Sequence, residues 1–169
     1  MEALLVTFQG QIDAIEDEIT ALMQQSHALA VSAQLLQTIP GVGVLTAAWL
    51  LVATHNFTSC DTPEQLVAYA GLAPFAYQSG TSVHRRGAIG HAGHARLRRA
   101  LYLASLSATR YNPVIKRFYD HLKDRGKSMK VARCAAARKL IHLAWAVVIK
   151  QTPFDPDHLQ HQAVQPQMA

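Results

Sequence analysis

A chain of 169 residues that is half hydrophobic and 16% charged can bury one sizeable core, which excludes a disordered polypeptide and predicts one ordered domain with appendages. The apolar runs at residues 44–53 and 140–149 are too short to cross a bilayer, so no transmembrane helix is expected. No Lys or Arg precedes the first apolar residues, which argues against a secretory signal. Cys60 and Cys134 stand far apart and in no metal-like spacing, which predicts two reduced thiols in the cytoplasm.

The net charge of +5 is distributed very unevenly along the chain. Residues 1–84 contain seven acidic residues and no Lys or Arg, whereas residues 85–139 contain fifteen of the sixteen basic residues. Such clustering is typical of surfaces that bind nucleic-acid phosphates. A solvated helical face is the alternative, but only two acidic residues lie in the basic segment, which favours nucleic acid.

Apolar residues at the N-terminus recur at alternating steps of four and three, as in the a and d positions of a coiled coil. We predict a connector helix over residues 1–37 whose narrow seam pairs with one partner helix, from a second copy or from the end of this chain. An ordinary amphipathic helix packed on the domain is the alternative. The seam consists of Met1, Leu5, Phe8, Ile12, Ile15, Ile19, Leu22, Ser26, Leu29, Ala33 and Leu36.

The segment "IPGVG" joins two apolar helical stretches at residues 39–43. Pro40, Gly41 and Gly43 predict a tight turn that leaves backbone N–H groups free at the start of the second helix, where a phosphate can bind. This arrangement resembles a helix-hairpin-helix motif, which grips the DNA backbone. A plain turn between two helices would have the same sequence, so both interpretations stay open.

The next segment predicts a short helix with Asp61 or Thr62 as N-cap, Pro63 at the first helical position and a stop at Gly71. Residues 75–93 have no helical period and are rich in Gly, Ser and Thr, which predicts a loop or a short hairpin.

Helical spacing returns at residues 94–110, with an apolar side and with Arg96 and Arg99 on other sides. Two further helices are predicted on either side of "DRGKS", with Gly126 just past the end of the first. The tail from Gln151 is polar and predicted to fray. The expected fold is therefore mostly α: a coiled-coil helix over 1–37, a compact helical domain over 38–150 with a helix-hairpin-helix and a Gly/Ser-rich loop, and a flexible tail over 151–169.

Four stretches, "IPGVGVLTAAWLLVA", "LVAYAGLAPFAYQSGTS", "IGHAGHARLRRALYLASLSA" and "GKSMKVARCAAARKLIHLAWAVV", follow one another in this order. Together they resemble the C-terminal domain of the insertion-sequence transposases related to the Piv DNA invertase, the bridge-RNA-guided recombinases. The resemblance covers about residues 35–155, and the ordered series of motifs is far more specific than any one of them.

The resemblance implies a serine nucleophile in the Ser-Gly pair that follows Gly-Leu-x-Pro, which is Ser79 here, with Ser82 as the runner-up. It implies cleavage and rejoining of DNA through a phosphoserine link. Family members also carry an N-terminal RuvC-like domain with four metal-binding acids, which this chain is expected to lack. We therefore expect no metal or cofactor on this chain, magnesium in the absent domain, and no activity of the isolated chain. His91 and His94 depart from the Lys and Asn of many members.

A serine hydroxyl is a poor nucleophile at neutral pH, so attack on a phosphodiester needs a base and cations around phosphorus. His84, His91 and His94 are candidate bases, and His91-x-x-His94 has too few further ligands for zinc. Ser79 is expected to project from a sharply bent backbone. The predicted nucleic-acid contacts are Gly41, Gly43, Arg85, Arg86, Arg96, Arg98, Arg99, Lys127 and Lys130.

The expected partners are DNA, a guide RNA and a second copy of the chain, in a bacterial cytoplasm and associated with the nucleoid. Two alternatives to a serine-bearing recombinase domain stay open. In the first, the chain is a truncated remnant that binds nucleic acid and dimerises without catalysis. In the second, it is a structural helix-hairpin-helix adaptor outside the family.

Overall fold

The computed structural model of the chain describes residues 1–75, 78–79, 83–84, 88–89 and 92–157. Most of this part is helical, which confirms the mostly α fold class, and it includes no helix long and apolar enough to cross a membrane. The helices are α1 (Glu2–Gln24), α2 (His27–Gln37), α3 (Val44–Thr54), α4 (Pro63–Tyr69), α5 (Ala95–Tyr111), α6 (Pro113–Asp124) and α7 (Met129–Ile149). Between α4 and α5 lie four two-residue strands, β1 (Pro74–Phe75), β2 (Gln78–Ser79), β3 (Val83–His84) and β4 (Ala88–Ile89).

The core is built around α5 and α7, which pack on each other, with α3 against α5, α2 against both α3 and α7, and α6 against both central helices. Small side chains supply much of the buried surface of α7 and allow its neighbours to lie close to its axis. The buried residues of α7 are Ala132, Ala136, Ala137, Leu140, Ile141, Ala144, Val147 and Val148.

The prediction of one continuous helix over residues 1–37 is wrong. The helix breaks at Ser26, which is the N-cap of α2 in an extended conformation, with φ −115° and ψ 124°. Serine favours this conformation at a helix start. The break lets α2 turn onto the domain, where Leu36 is fully buried and Ala33 is 4% exposed. The second half of the predicted seam is therefore core.

The first half of the seam lies on α1 and faces solvent in the single chain. Ile19 packs partly against the core, and Met23 is the one buried residue of α1. The remaining seam residues of this helix are exposed: Met1, Leu5, Phe8, Ile12, Ile15 and Leu22.

Two predicted helix ends are confirmed. Thr62 caps α4, because its Oγ1 accepts a hydrogen bond of 3.2 Å from the Gln65 N–H, and Pro63 is the first helical residue. At the end of α6, Gly126 has φ +73°. The Gly126 N–H donates to the Lys123 carbonyl and the Lys127 N–H donates to the Leu122 carbonyl, which is the Schellman pattern.

The prediction that the tail frays from Gln151 is wrong for its first residues, and residues 158–169 lie outside the described part. Gln151 takes the left-handed conformation after α7, with φ 52°, and Thr152 donates back to the Val147 carbonyl at 3.2 Å. The Phe154 N–H then donates to Thr38 Oγ1 at 2.8 Å, and the Phe154 side chain packs partly against the core. The domain therefore extends beyond the predicted boundary at residue 150.

The two cysteines are both free thiols and are both half-buried. Burial raises the pKa of the Cys134 thiol, and burial together with the Asp61 carboxylate raises the pKa of the Cys60 thiol. Both therefore favour the protonated, less reactive form at neutral pH.

Candidate nucleic-acid interface

The predicted turn between two helices is present at residues 38–43, and its two glycines have different surroundings. Gly41 has φ +101°, and a Cβ built on it would lie 2.7 Å from Ala108 Cβ and 2.7 Å from Ala108 N. The turn therefore presses its backbone against α5, where only glycine fits. Gly41 is thus a packing residue, and its predicted phosphate contact stays a prediction.

Asn112, one helical turn after Ala108, holds the same turn. It is fully buried, and its Nδ2 donates to the Pro40 carbonyl at 3.4 Å. Its Oδ1 accepts hydrogen bonds of 3.1 Å from the N–H groups of Val114 and Ile115, which caps α6. The sequence reasoning missed this residue, although Asn followed by Pro113 at the first helical position is a recognisable helix start.

Gly43 is the exposed glycine of the turn. It is the N-cap of α3 in an extended conformation, and a Cβ built on it would meet nothing within 4 Å. No acidic residue stands in the first turn of α3. The first N–H groups of a helix have no intrahelical partner, so this end of α3 offers donors and the positive end of the helix dipole to an anion.

The segment between α4 and α5 forms an antiparallel ribbon, which agrees with the predicted short hairpin. Pro74 pairs with Ile89 and Phe75 with Ala88 at its base, and Ser79 pairs with Val83 further out. The backbone of Ser79 is thus in a paired strand. The structure describes only the backbone of this residue, so the projection of its side chain stays a prediction.

Several predicted site residues lie outside the described residues or are described only by their backbone. Ser82, Arg85, Arg86 and His91 lie outside. His84 is a backbone position of β3, opposite Gln78. Their roles stay predictions.

The base of the ribbon is fixed to the domain by backbone contacts and one arginine. The His94 N–H donates to the Tyr69 carbonyl at 2.8 Å. Gly93, with φ +97°, lies so close to Gly71 that an added Cβ would be 2.6 Å from the Gly71 N atom. Arg98 Nη1 donates to the Ala92 carbonyl at 2.9 Å and lies 3.5 Å from the Ala70 carbonyl. Arg98 was predicted to contact nucleic acid; the structure gives its Nη1 this structural role instead.

His94 also has a structural role that the sequence reasoning did not assign. It is the N-cap of α5, and its Nδ1 accepts a hydrogen bond of 3.1 Å from the Leu97 N–H. The Nδ1 lone pair of His94 is thus occupied by a backbone N–H. Its role as a base stays a prediction.

The outer face of α5 is an exposed stripe that begins with two of the predicted arginines, Arg96 and Arg99. Leu97, Leu101, Ala104 and Ala108 are buried on the opposite face, as predicted. No acidic residue stands in the first turn of α5, so the arginines there add to the positive end of the helix dipole. The exposed stripe consists of Arg96, Arg99, Leu103, Ser107 and Arg110.

Lys127 and Lys130 are both exposed, on the turn between α6 and α7 and on the first turn of α7. They form a second basic surface, which lies at the connection between α6 and α7 and not at the ribbon. The described part of the chain places no three His, Cys, Asp or Glu side chains together as metal ligands.

Comparison with known proteins gives one family match and several relatives. Residues 33–120 match the family described as Transposase IS116/IS110/IS902 family. A pilin gene-inverting protein of Moraxella bovis is 37% identical over 150 residues, which are 88% of this chain and 46% of that protein.

Two further relatives are insertion-element proteins. The insertion element IS110 uncharacterized 43.6 kDa protein of Streptomyces coelicolor is 37% identical over 144 residues, 85% of this chain and 34% of that protein. The transposase for insertion sequence element IS1328 of Yersinia enterocolitica is 28% identical over 156 residues, 85% of this chain and 42% of that protein. The chain spans less than half the length of each of these relatives.

Proposed function

Because the chain belongs to the IS116/IS110/IS902 transposase family, we propose that it is the DNA-binding, serine-bearing part of a transposase or site-specific recombinase. The relatives carry names of insertion-sequence transposition and of gene inversion, two processes that break and rejoin DNA strands. In this proposal Ser79 is the nucleophile, and the whole protein supplies the remaining catalytic groups.

The observation that carries the proposal is the connection between the ribbon and the arginine stripe of α5. The strand with Ser79 returns through β3 and β4 directly into the N-terminus of α5, where Arg96 and Arg99 are exposed. The contacts of His94 and Arg98 fix the base of the ribbon beside the start of α5, where the stripe begins. A phosphate held at the start of α5 would therefore lie close to the base of the ribbon.

The proposed chemistry is a transesterification at phosphorus. The Ser79 hydroxyl attacks a DNA phosphodiester and loses its proton to a general base, and an Oγ–P bond forms as one P–O bond to the DNA strand breaks. The departing strand end takes a proton and leaves as a hydroxyl. Attack by a strand hydroxyl on the phosphoserine reverses these steps and rejoins DNA. The exposed arginines stabilise the negative charge that develops on the phosphoryl oxygens.

The turn at Gly43 supplies a second, sequence-independent contact with the DNA backbone in this proposal. A guide RNA offers the same phosphate chemistry and would bind the same surfaces, in competition with DNA. The exposed apolar side chains of α1 pair with a second copy of the chain, which places two serines in one assembly.

The test joins this chain to the rest of a family protein and supplies magnesium and substrate DNA. We expect the unchanged protein to form a covalent protein–DNA adduct that survives a denaturing gel. Ser79→Ala should abolish the adduct and leave DNA binding intact, while Ser82→Ala should only weaken it. An adduct that persists in Ser79→Ala and disappears in Ser82→Ala moves the nucleophile to Ser82, and one that persists in both variants rules out the serine mechanism.

A second candidate is a DNA-binding, dimerising module without catalysis. It rests on the exposed apolar side chains of α1 and the exposed arginines of α5, which it shares with the first proposal. Both predict that DNA affinity falls steeply with salt, because each neutralised phosphate releases condensed counterions. Replacing Arg96 and Arg99 by Ala should reduce the slope by about 2, since each phosphate contact contributes about 0.9. The adduct assay separates the two candidates.

A further inference from the structure

Four side chains from three helices form a row at the base of the ribbon. The His94 ring stands between the rings of Trp49 from α3 and Tyr69 from α4, with centroid distances of 6.0 Å to Trp49 and 5.6 Å to Tyr69. The Arg96 guanidinium lies over the Trp49 ring, 5.9 Å from its centroid. Neighbouring aromatic rings at such distances stabilise one another and fix each other's orientation.

The row is exposed at Tyr69 and at Arg96. Tyr69 is 43% exposed, and Trp49 and His94 are half-buried behind it. The backbone of Tyr69 is held by the hydrogen bond from the His94 N–H, and this bond does not depend on the Tyr69 side chain. The tyrosine ring is therefore held in place by its backbone and by one neighbouring ring, and part of its surface faces solvent.

A tyrosine exposed at one end of a row of rings and an arginine exposed at the other end give this surface the composition of sites that bind unpaired nucleobases. Aromatic side chains stack on single bases, while nearby arginines hold the phosphates or stack on the same base. The bases of an intact duplex have both faces covered by their neighbours, so only a base that has left the stack can reach this ring.

We propose that Tyr69, supported by His94, is a stacking site for an unpaired nucleobase of the DNA strand bound at the ribbon, with the Arg96 guanidinium at the other end of the row available for a phosphate. This inference rests on the proposed DNA-binding function and adds to it a preference for unpaired DNA. Strand exchange requires DNA strands to separate beside the cleavage site, and the row lies directly at the base of the ribbon that carries Ser79. Tyr69 is here a binding residue, and His94 is a positioning residue.

The experiment measures the affinity of the full chain for a single-stranded oligothymidylate and for a duplex of the same length, over a series of salt concentrations. Tyr69→Ala should lower the affinity for the single strand by about 5- to 100-fold, the range measured when a stacking aromatic is removed. Duplex affinity should not change. The salt dependence should also stay the same, because stacking releases no counterions.

Two variants serve as matched controls. Tyr69→Phe keeps the ring and should keep single-strand affinity. Tyr111→Ala removes a tyrosine that is 72% exposed at the far end of α5, and should leave both affinities unchanged. Thermal melting of each variant shows whether the fold is retained, and the Tyr69→Phe result keeps the test valid if Tyr69→Ala melts early.

Three results would overturn the stacking site while leaving the proposed DNA binding in place: equal losses for single strand and duplex in Tyr69→Ala, no loss for either, or a loss in Tyr69→Phe as large as in Tyr69→Ala. A chain that binds neither oligonucleotide at low salt overturns the proposed function, and the stacking site with it.

Discussion

The two glycines of the helix-connecting turn give a sharp test, because the same substitution should have opposite consequences at each. We predict that Gly41→Ala destabilises the fold and that Gly43→Ala spares the fold but weakens DNA binding. At Gly41 the new Cβ would lie 2.7 Å from Ala108 Cβ, 2.7 Å from Ala108 N and 2.8 Å from Ala108 Cα. Two of these three atoms are backbone atoms, so a smaller residue at position 108 could not make room.

The expected loss at Gly41 combines two costs. A residue with a side chain in the left-handed region costs about 1–2 kcal/mol. Forcing extra volume into a packed contact costs about 1–3 kcal/mol more. The free energy of unfolding should therefore fall by about 2–5 kcal/mol, which lowers the melting temperature by about 4–20 °C in a chain of this length.

At Gly43 the cost to folding is small and the cost to binding is not. The position has φ −90° and open space around it, so an alanine there should lose only a weak N-cap preference, under about 1 kcal/mol. The same methyl group would add bulk at the exposed start of α3, where the proposed phosphate contact lies. A hydrogen bond from a free backbone N–H group to a charged phosphate contributes about 1.5–3 kcal/mol, so duplex affinity should fall about tenfold or more.

The assays are thermal unfolding by circular dichroism and duplex binding at low salt, on both variants and on the unchanged chain. If Gly41→Ala melts like the unchanged chain, the close packing of the turn on α5 is refuted. If Gly43→Ala binds duplex as tightly as the unchanged chain, the start of α3 makes no phosphate contact and the turn is only a connection between two helices.

Three further predictions concern assembly, the turn and the ribbon. Replacing Ile12 and Ile15 by Asp should convert a dimer into a monomer in analytical ultracentrifugation. The melting temperature should not fall, because both side chains are exposed in the single chain. An unchanged chain that is already monomeric at micromolar concentration contradicts the pairing. Asn112→Ala should lower stability by about 1–3 kcal/mol in chemical denaturation, since it removes a cap and leaves buried backbone groups unpaired, and Asn112→Ser should recover part of this; equal losses in both would show that the cap is unimportant. Arg98→Ala should speed proteolytic cleavage within the ribbon, while Arg99→Ala should not, and equal cleavage rates would show that Arg98 does not anchor the ribbon.

The sequence predicts those parts of the fold that depend on local chemistry. The caps at Thr62 and Gly126 follow from residue preferences over a few positions, and the buried face of α5 follows from helical spacing. The break at Ser26 could not be predicted in this way, because the apolar spacing continues across it without interruption. It results from the burial of Leu36 in the core, which is a tertiary effect.

In the candidate site too, contacts that depend on tertiary structure could not be predicted from the sequence. Sequence reasoning grouped Arg96, Arg98 and Arg99 as equivalent phosphate contacts because all three are arginines within one turn of helix. The structure separates them by their angle around α5. Arg96 and Arg99 point away from the core, while Arg98 points back to the carbonyl of Ala92. No pattern in the sequence reveals that carbonyl, because it is brought there by the return of the ribbon.

The ribbon is joined to the domain by contacts at its base. A two-stranded ribbon is marginally stable in water, so it needs support at its base. Gly71 and Gly93 supply that support by letting the entering and leaving backbones touch, and Arg98 ties the leaving backbone to α5. Arginine suits this task because its planar guanidinium can bind carbonyls with one nitrogen and keep other donors for a second partner. Arg98, which anchors the base of the ribbon, and the exposed residues Arg96 and Arg99 therefore belong to one turn of α5. Under the proposed function, a phosphate bound by Arg96 or Arg99 lies within one helix turn of that anchor.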